Sequence, residues 1–82
     1  MYLSNYELFK VFLLGTSRGI PNVSSVSLNI DISEYKVVSA ICYLQDGTIE
    51  QLSLKTDRNT IISASCHYGN ITGYDIYGKK NK

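Results

Sequence analysis

A run of nine residues at positions 25–33 (SVSLNIDIS) alternates between polar and apolar side chains. The apolar positions are Val26, Leu28, Ile30 and Ile32. Because successive side chains of a β-strand point to opposite faces, this alternation predicts an antiparallel strand with one buried face and one face in water. Such a strand is not stable alone, so the rest of the chain has to supply strands that pair with it.

Four further segments have the composition of strands, which gives five predicted strands at about 25–33, 35–45, 48–55, 60–68 and 71–77. Asp46 and Gly47 form a strong turn signal that joins the second and third strands into a hairpin. A two-residue loop would pair Ile41 with Leu52, whereas a three-residue loop with a bulge would pair Ala40 with Leu52. In both registers each face carries apolar groups, as in a curled sheet or a small barrel.

The segment at about 5–14 has the signals of a short helix. Its first residues match a capping box, SNYE at 4–7, and Gly15 suits the left-handed position after a helix. A buried strand over 8–14 is the competing interpretation, which periodicity alone does not separate from a helix. We favour the helix, so the predicted fold class is α+β. The expected architecture is a short N-terminal helix packed on a curled, mainly antiparallel sheet or small barrel of about five strands.

The ends and the linking segment complete the predicted organisation of the chain. Residues 16–22 contain Gly19 and Pro21, which both interrupt regular structure, and residues 78–82 form a basic tail in solvent. The whole chain, 1–82, has the length of a single domain. Because the predicted helix is apolar around most of its circumference, Phe9 and Leu13 are the expected seam of a homodimer.

Composition restricts the classes of partner and the compartment. The net charge of +1 argues against nucleic-acid binding by bulk electrostatics. Two cysteines without a CxxC motif indicate a reducing compartment, and the apolar N-terminal run is too short to span a bilayer, so we expect a cytoplasmic protein that does not bind membranes. Residues with AT-rich codons are frequent, which suits a bacterial gene or that of a virus, phage or mobile element.

Cys66 and His67 are the candidate catalytic or metal-binding pair. On a strand their side chains would point to opposite faces, and the chain has no second histidine. We therefore predict no catalytic residue, no metal site, no cofactor and no enzymatic activity. The carboxylates are expected to be solvated rather than paired for acid–base chemistry; these are Asp31, Glu34, Asp46, Glu50, Asp57 and Asp75.

Seven tyrosines in 82 residues exceed what one small core needs, so some are expected on the surface. The main hypothesis is a small, non-catalytic protein-binding module, such as an inhibitor or accessory factor encoded by a phage or mobile element. The alternative is a small barrel that binds single-stranded nucleic acid through tyrosines and C-terminal lysines. Both hypotheses use the same predicted contact residues, which are Tyr68, Tyr74, Tyr77, His67, Lys79 and Lys80.

Overall fold

The computed structural model describes residues 10–81, and within that range it contains six strands and no helix. The strands are β1 (Phe12–Val23), β2 (Ser25–Asp31), β3 (Tyr35–Leu44), β4 (Ile49–Asp57), β5 (Thr60–Cys66) and β6 (Ile71–Lys80). The predicted α+β class is therefore wrong, and the protein is all-β. Strands β2 to β6 overlap the five segments that the sequence assigns to strands, and β1 is additional.

The six strands form one antiparallel sheet in the order β1-β6-β3-β4-β5-β2, which curls into a nearly closed barrel. The two edge strands, β1 and β2, follow each other in the sequence and are separated only by Ser24. Their junction brings the two edges of the sheet together at one end. β6 lies between β1 and β3 and is paired along most of its length on both sides.

The N-terminal helix predicted over 5–14 conflicts with the position of β1; its residues 5–9, which include Phe9, lie outside the described range. Phe12 lies opposite Gly78 and Leu13 opposite Tyr77, so this part of the chain pairs with β6. Gly15 does not cap a helix. It lies within the strand, where Ile30 Cδ1 is 2.7 Å from the position that a Cβ atom would occupy. Short apolar runs fit either conformation, and here the pairing offered by β6 favours the strand.

The predicted break at 16–22 is an irregularity within β1. Gly19 takes a left-handed backbone conformation with φ of 68°, which glycine adopts without steric cost. From Arg18 to Val23 on β1, the partner β6 advances only from Gly73 to Ile71, so β1 has three extra residues there. The glycine and Pro21 therefore disturb the ladder but do not end the strand.

The β3–β4 hairpin adopts the three-residue-loop register. The Leu44 amide donates to the Thr48 carbonyl oxygen at 2.9 Å, and Ile41 lies opposite Gln51. The ladder between β3 and β4 covers only three residues of β3, from Ile41 to Tyr43.

The interior of the barrel is filled by the side chains of alternate strand positions. Among the described residues, the buried apolar ones are Cys42, Leu52, Ile61, Ala64, Ile71 and Ile76. At the C-terminal end β6 continues to Lys80, so residues 78–80 of the predicted tail belong to a strand. Among residues 10–81 there is no helix long and apolar enough to cross a membrane.

The outer side of the barrel has two regions of different chemistry. On β4, β5 and β2 the outward positions form cross-strand rows, Ser53–Ser65–Ser25 and Lys55–Ser63–Ser27. We call this region the serine face. The outward positions of β1, β6 and β3 carry longer side chains, and this second region contains the candidate site.

Candidate protein-binding face

The second region is built from three cross-strand rows on β1, β6 and β3. Extended by the first outward position of β4, it forms the tyrosine–arginine face, which consists of Leu13, Thr16, Arg18, Ser39, Ile41, Tyr43, Ile49, Gly73, Asp75 and Tyr77. Its two apolar ends are exposed, with Leu13 at 53% and Ile49 at 57% of full exposure. The polar groups lie between them.

Asp75 lies at the centre of the tyrosine–arginine face and is 4% exposed. Its Oδ1 atom accepts hydrogen bonds from Thr16 Oγ1 at 2.6 Å and from Arg18 Nη1 at 3.0 Å. Its Oδ2 atom accepts from Tyr43 Oη at 2.6 Å and from Arg18 Nη2 at 2.9 Å. Each carboxylate oxygen therefore has two donors, which uses the acceptor capacity of the group.

Arg18 covers the carboxylate and remains open to solvent on its other side, with its side chain 57% exposed. Both terminal nitrogens of Arg18 donate to Asp75. The Nη1 atom also donates to the carbonyl oxygens of Ser17 at 3.0 Å and Tyr74 at 3.2 Å. Its guanidinium carbon lies 4.3 Å from the centroid of the Tyr43 ring. These contacts hold a long, exposed side chain in one orientation.

Gly73 provides the space for this stack. It lies opposite Arg18 on one side and opposite Tyr43 on the other. A Cβ atom at this position would be 2.7 Å from the Ser17 carbonyl oxygen and 3.3 Å from Arg18 Cδ. The absence of a side chain on β6 therefore lets two side chains from the neighbouring strands meet above it.

The electrostatics of the site keep its charges paired. Hydrogen bonds from Arg18, Thr16 and Tyr43 hold the pKa of Asp75 well below its ordinary value, and the bond to Asp75 raises the pKa of Arg18. The hydrogen bond that Tyr43 donates to Asp75 raises the pKa of its hydroxyl. An ionised carboxylate with all its acceptors used is a poor general base, so the arrangement positions side chains rather than protons.

The structure separates the two C-terminal tyrosines that the sequence analysis grouped. Tyr77 lies on the tyrosine–arginine face, in the same row as Leu13. Tyr74 points inward and packs against the core. Residues three apart on a strand point to opposite faces, so the spacing already implies this separation. Lys79 and Lys80 are half-buried residues of β6, opposite Lys36 and Tyr35.

The remaining predicted contact residues lie in the turn after β5. Cys66 is the last residue of that strand, and His67 and Tyr68 follow it in the turn, with their rings edge to face at 5.2 Å. Tyr68 is 66% exposed. This turn precedes β6, whereas Tyr77 is near the other end of that strand, so the predicted contact residues do not form one cluster.

The two cysteines differ in burial. Cys42 is buried and Cys66 is half-buried, and both thiols are free. Burial, with a smaller contribution from Cys66, raises the pKa of the Cys42 thiol to about 12, so it stays protonated at neutral pH. Among residues 10–81 no group of three or more histidine, cysteine, aspartate or glutamate side chains could hold a metal ion.

The residues at the centre of the tyrosine–arginine face are not predicted by the sequence patterns. Arg18 lies in the predicted break, and the prediction that Asp75 is solvated is wrong, because Asp75 is buried. One signal was present, because Asp75 stands inside an apolar strand segment, ITGYDIY at 71–77. A charged residue in such a segment indicates that a side chain of opposite charge lies nearby. Which residue that is depends on the strands that flank β6.

The fold and the site together define a small all-β barrel with one organised polar–aromatic face. Comparison with protein-family models, with curated proteins and with solved structures gives no match to this chain. The phage or mobile-element origin therefore stays a prediction from composition, and function has to be argued from the site.

Proposed function

We propose that the chain is a non-catalytic protein-binding module that contacts its partner through the tyrosine–arginine face. The observation that carries the proposal is the exposed Arg18–Tyr43 stack held in place by the buried carboxylate of Asp75. Tyrosine and arginine are the residue types enriched at the energetic centres of protein interfaces. Side chains that are already ordered lose little conformational entropy on binding, which favours affinity.

The chemistry of the face also indicates the kind of partner. Leu13 and Ile49 supply exposed apolar area at its two ends, and the charge of Arg18 is balanced by Asp75. A nearly neutral face with apolar ends suits a protein surface that offers apolar groups and hydrogen-bond acceptors. This role fits a cytoplasmic inhibitor or accessory factor of the kind encoded by phages and mobile elements.

The test compares one substitution on each face. Ile49 on β4 belongs to the tyrosine–arginine face, and Ser27 on β2 belongs to the serine face; both residues are exposed. The wild-type chain, Ile49→Asp and Ser27→Asp are used to capture proteins from the native cell extract after chemical cross-linking. We expect the wild type and Ser27→Asp to retain the same proteins and Ile49→Asp to lose them.

Equal capture by the two variants would contradict the proposal. The same three chains are titrated with single-stranded oligonucleotides at low and moderate salt. Salt-sensitive binding that Ile49→Asp leaves unchanged would instead support the nucleic-acid alternative. Sedimentation at increasing protein concentration detects self-association through the face, in which case the partner is a second copy.

A further inference from the structure

β3 and β4 separate after only a short stretch of pairing. Their ladder ends at Ile41 and Gln51, although the same register would place Ala40 opposite Leu52 and Val38 opposite Leu54. Between the separated parts lies a groove of about 430 Å³, lined by residues 37–40 of β3 and 51–54 of β4. The groove is therefore an interruption of the barrel wall, with a strand on each side.

A bulge on β3 lies beside the groove. The pairing of β3 with β6 shifts between Val37 and Ser39, so that Val38 is an extra residue on β3, and its side chain is 46% exposed. A bulge of this kind bends a strand and increases its twist. It lies in the part of β3 that is not paired with β4.

Each wall of the groove is paired with another strand on the side away from the groove. Residues 35–44 of β3 pair with β6, and residues 52–57 of β4 pair with β5. On the groove side, the carbonyl oxygen of Thr48, just before β4, accepts from the Leu44 amide of β3. By alternation the backbone groups of Ala40 on β3 and Leu54 on β4 face the groove as well. Since neither residue is paired across the groove, each wall presents backbone hydrogen-bonding groups of a strand edge.

We propose that this groove binds an extended peptide segment of a partner protein as an added strand along β3. The exposed edge of β3 supplies the backbone partners, and the walls supply a pattern for side chains. Val37, Ala40, Leu52 and Leu54 pack on the core side, whereas Ser39, Gln51 and Ser53 lie on the outer side. A segment with alternating apolar and polar residues, about four residues long, matches both the pattern and the length.

This strand-addition site shares only Ser39 with the tyrosine–arginine face and does not depend on the proposed function. The two regions adjoin at Ser39, which lies in the same row as Tyr77. A partner could use both, but each can be tested alone.

The probe is a synthetic peptide with the sequence EQLSLKTD, which copies residues 50–57 and carries the side chains that the interrupted register would place opposite β3. Two modified peptides provide the contrast. One is N-methylated at the positions that correspond to Leu52 and Leu54, whose amides would face β3, and the other at the positions of Gln51 and Ser53. Binding to the full chain is followed by calorimetry and by hydrogen exchange of the chain's own amides.

We expect saturable binding of the unmodified peptide, with affinity reduced about tenfold or more by methylation at the leucine positions and less by methylation at the other two. Arg18→Ala should bind the peptide like the wild type, which separates this result from the proposed function. Absence of saturable binding, or equal effects of the two methylation patterns, would overturn the proposal. Slow exchange of the Leu54 amide in the free monomer would also overturn it, because β3 and β4 would then be paired along the groove. Protection of that amide by dimerisation would overturn it too.

Discussion

The tyrosine–arginine face and the serine face lie on the same curled sheet, but they differ in how their side chains are ordered. In the first, Arg18, Tyr43 and Thr16 converge on one buried carboxylate, at distances of 2.6–3.0 Å. In the second, five of the six residues in the two cross-strand rows are serines, whose side chains reach little beyond the backbone; the sixth is Lys55. Similar backbone geometry therefore supports one organised surface and one plain surface, and only the first resembles the centre of a protein interface.

Replacement of Asp75 should have the largest effect. Asp75→Asn removes the charge that Arg18, Thr16 and Tyr43 share, and hydrogen bonds to a charged group contribute roughly 1.5–3 kcal/mol each before neighbours compensate. We expect the free energy of unfolding to fall by about 2–3 kcal/mol in urea denaturation. Ser65→Ala on the serine face should change it by less than about 0.5 kcal/mol. Similar losses in both variants would remove the contrast between the two faces.

Gly73→Ala should have the next largest effect, because the added methyl group would meet the Ser17 carbonyl oxygen at 2.7 Å, and backbone yields less easily than a side chain. Overpacking of this kind costs about 1–3 kcal/mol, and it should also displace Arg18 from Tyr43. Thermal unfolding measures the loss of stability. An unchanged melting temperature would show that the close approach of β1 to β6 at this point is not required.

Acidification should weaken the fold through Asp75. Its pKa is lowered in the folded chain, so its stabilisation is complete above the ordinary value of 3.8 and is lost progressively as the pH falls below that value. Asp31 and Asp46 act in the same direction, because hydrogen bonds from Ser33 and Thr48 lower their pKa values. The unfolding free energy of Asp75→Asn should therefore depend less on pH in the acid range than that of the wild type. Parallel profiles would contradict this assignment.

Tyr43→Phe should have the smallest effect, since it keeps the ring beneath Arg18 and removes only the hydroxyl. The pKa of that hydroxyl is raised above its ordinary value of 10.0, so its contribution to stability is present below that pH and is lost as the pH rises further. In an ultraviolet titration of the tyrosines, the variant should lack a group that ionises late. The group that is missing in the variant is Tyr43. If that group ionises in the wild type with the ordinary pKa of a tyrosine, its hydrogen bond to Asp75 is not formed in solution.

The sequence indicates several strands but not the way in which they meet. The alternation at 25–33 marks β2, and Asp46 with Gly47 marks the hairpin, because both signals are local. The segment before Gly15 is apolar enough for a helix or a strand, and only the presence of β6 beside it decides between them. Local pattern therefore predicts elements well where a strand is half exposed and poorly where burial is general.

The site was harder to predict for a related reason. Arg18 and Asp75 are 57 positions apart, and they meet because β1 and β6 are neighbours in a sheet whose order does not follow the sequence. By contrast, the opposite orientations of Tyr74 and Tyr77 follow from their spacing alone. Spacing within one strand can thus be read directly, whereas contacts between distant strands require the topology.

The most direct test of the account is the order of the Arg18 side chain in solution, measured by ¹⁵N relaxation at its Nε atom. The Arg18 side chain is anchored on Asp75 and stacked on Tyr43. Its Nε–H bond should therefore move as little as the rigid backbone, with an order parameter of about 0.85, and it should become mobile in Asp75→Asn. An order parameter below about 0.6 in the wild-type chain would show that the face is not organised before binding and would contradict the account.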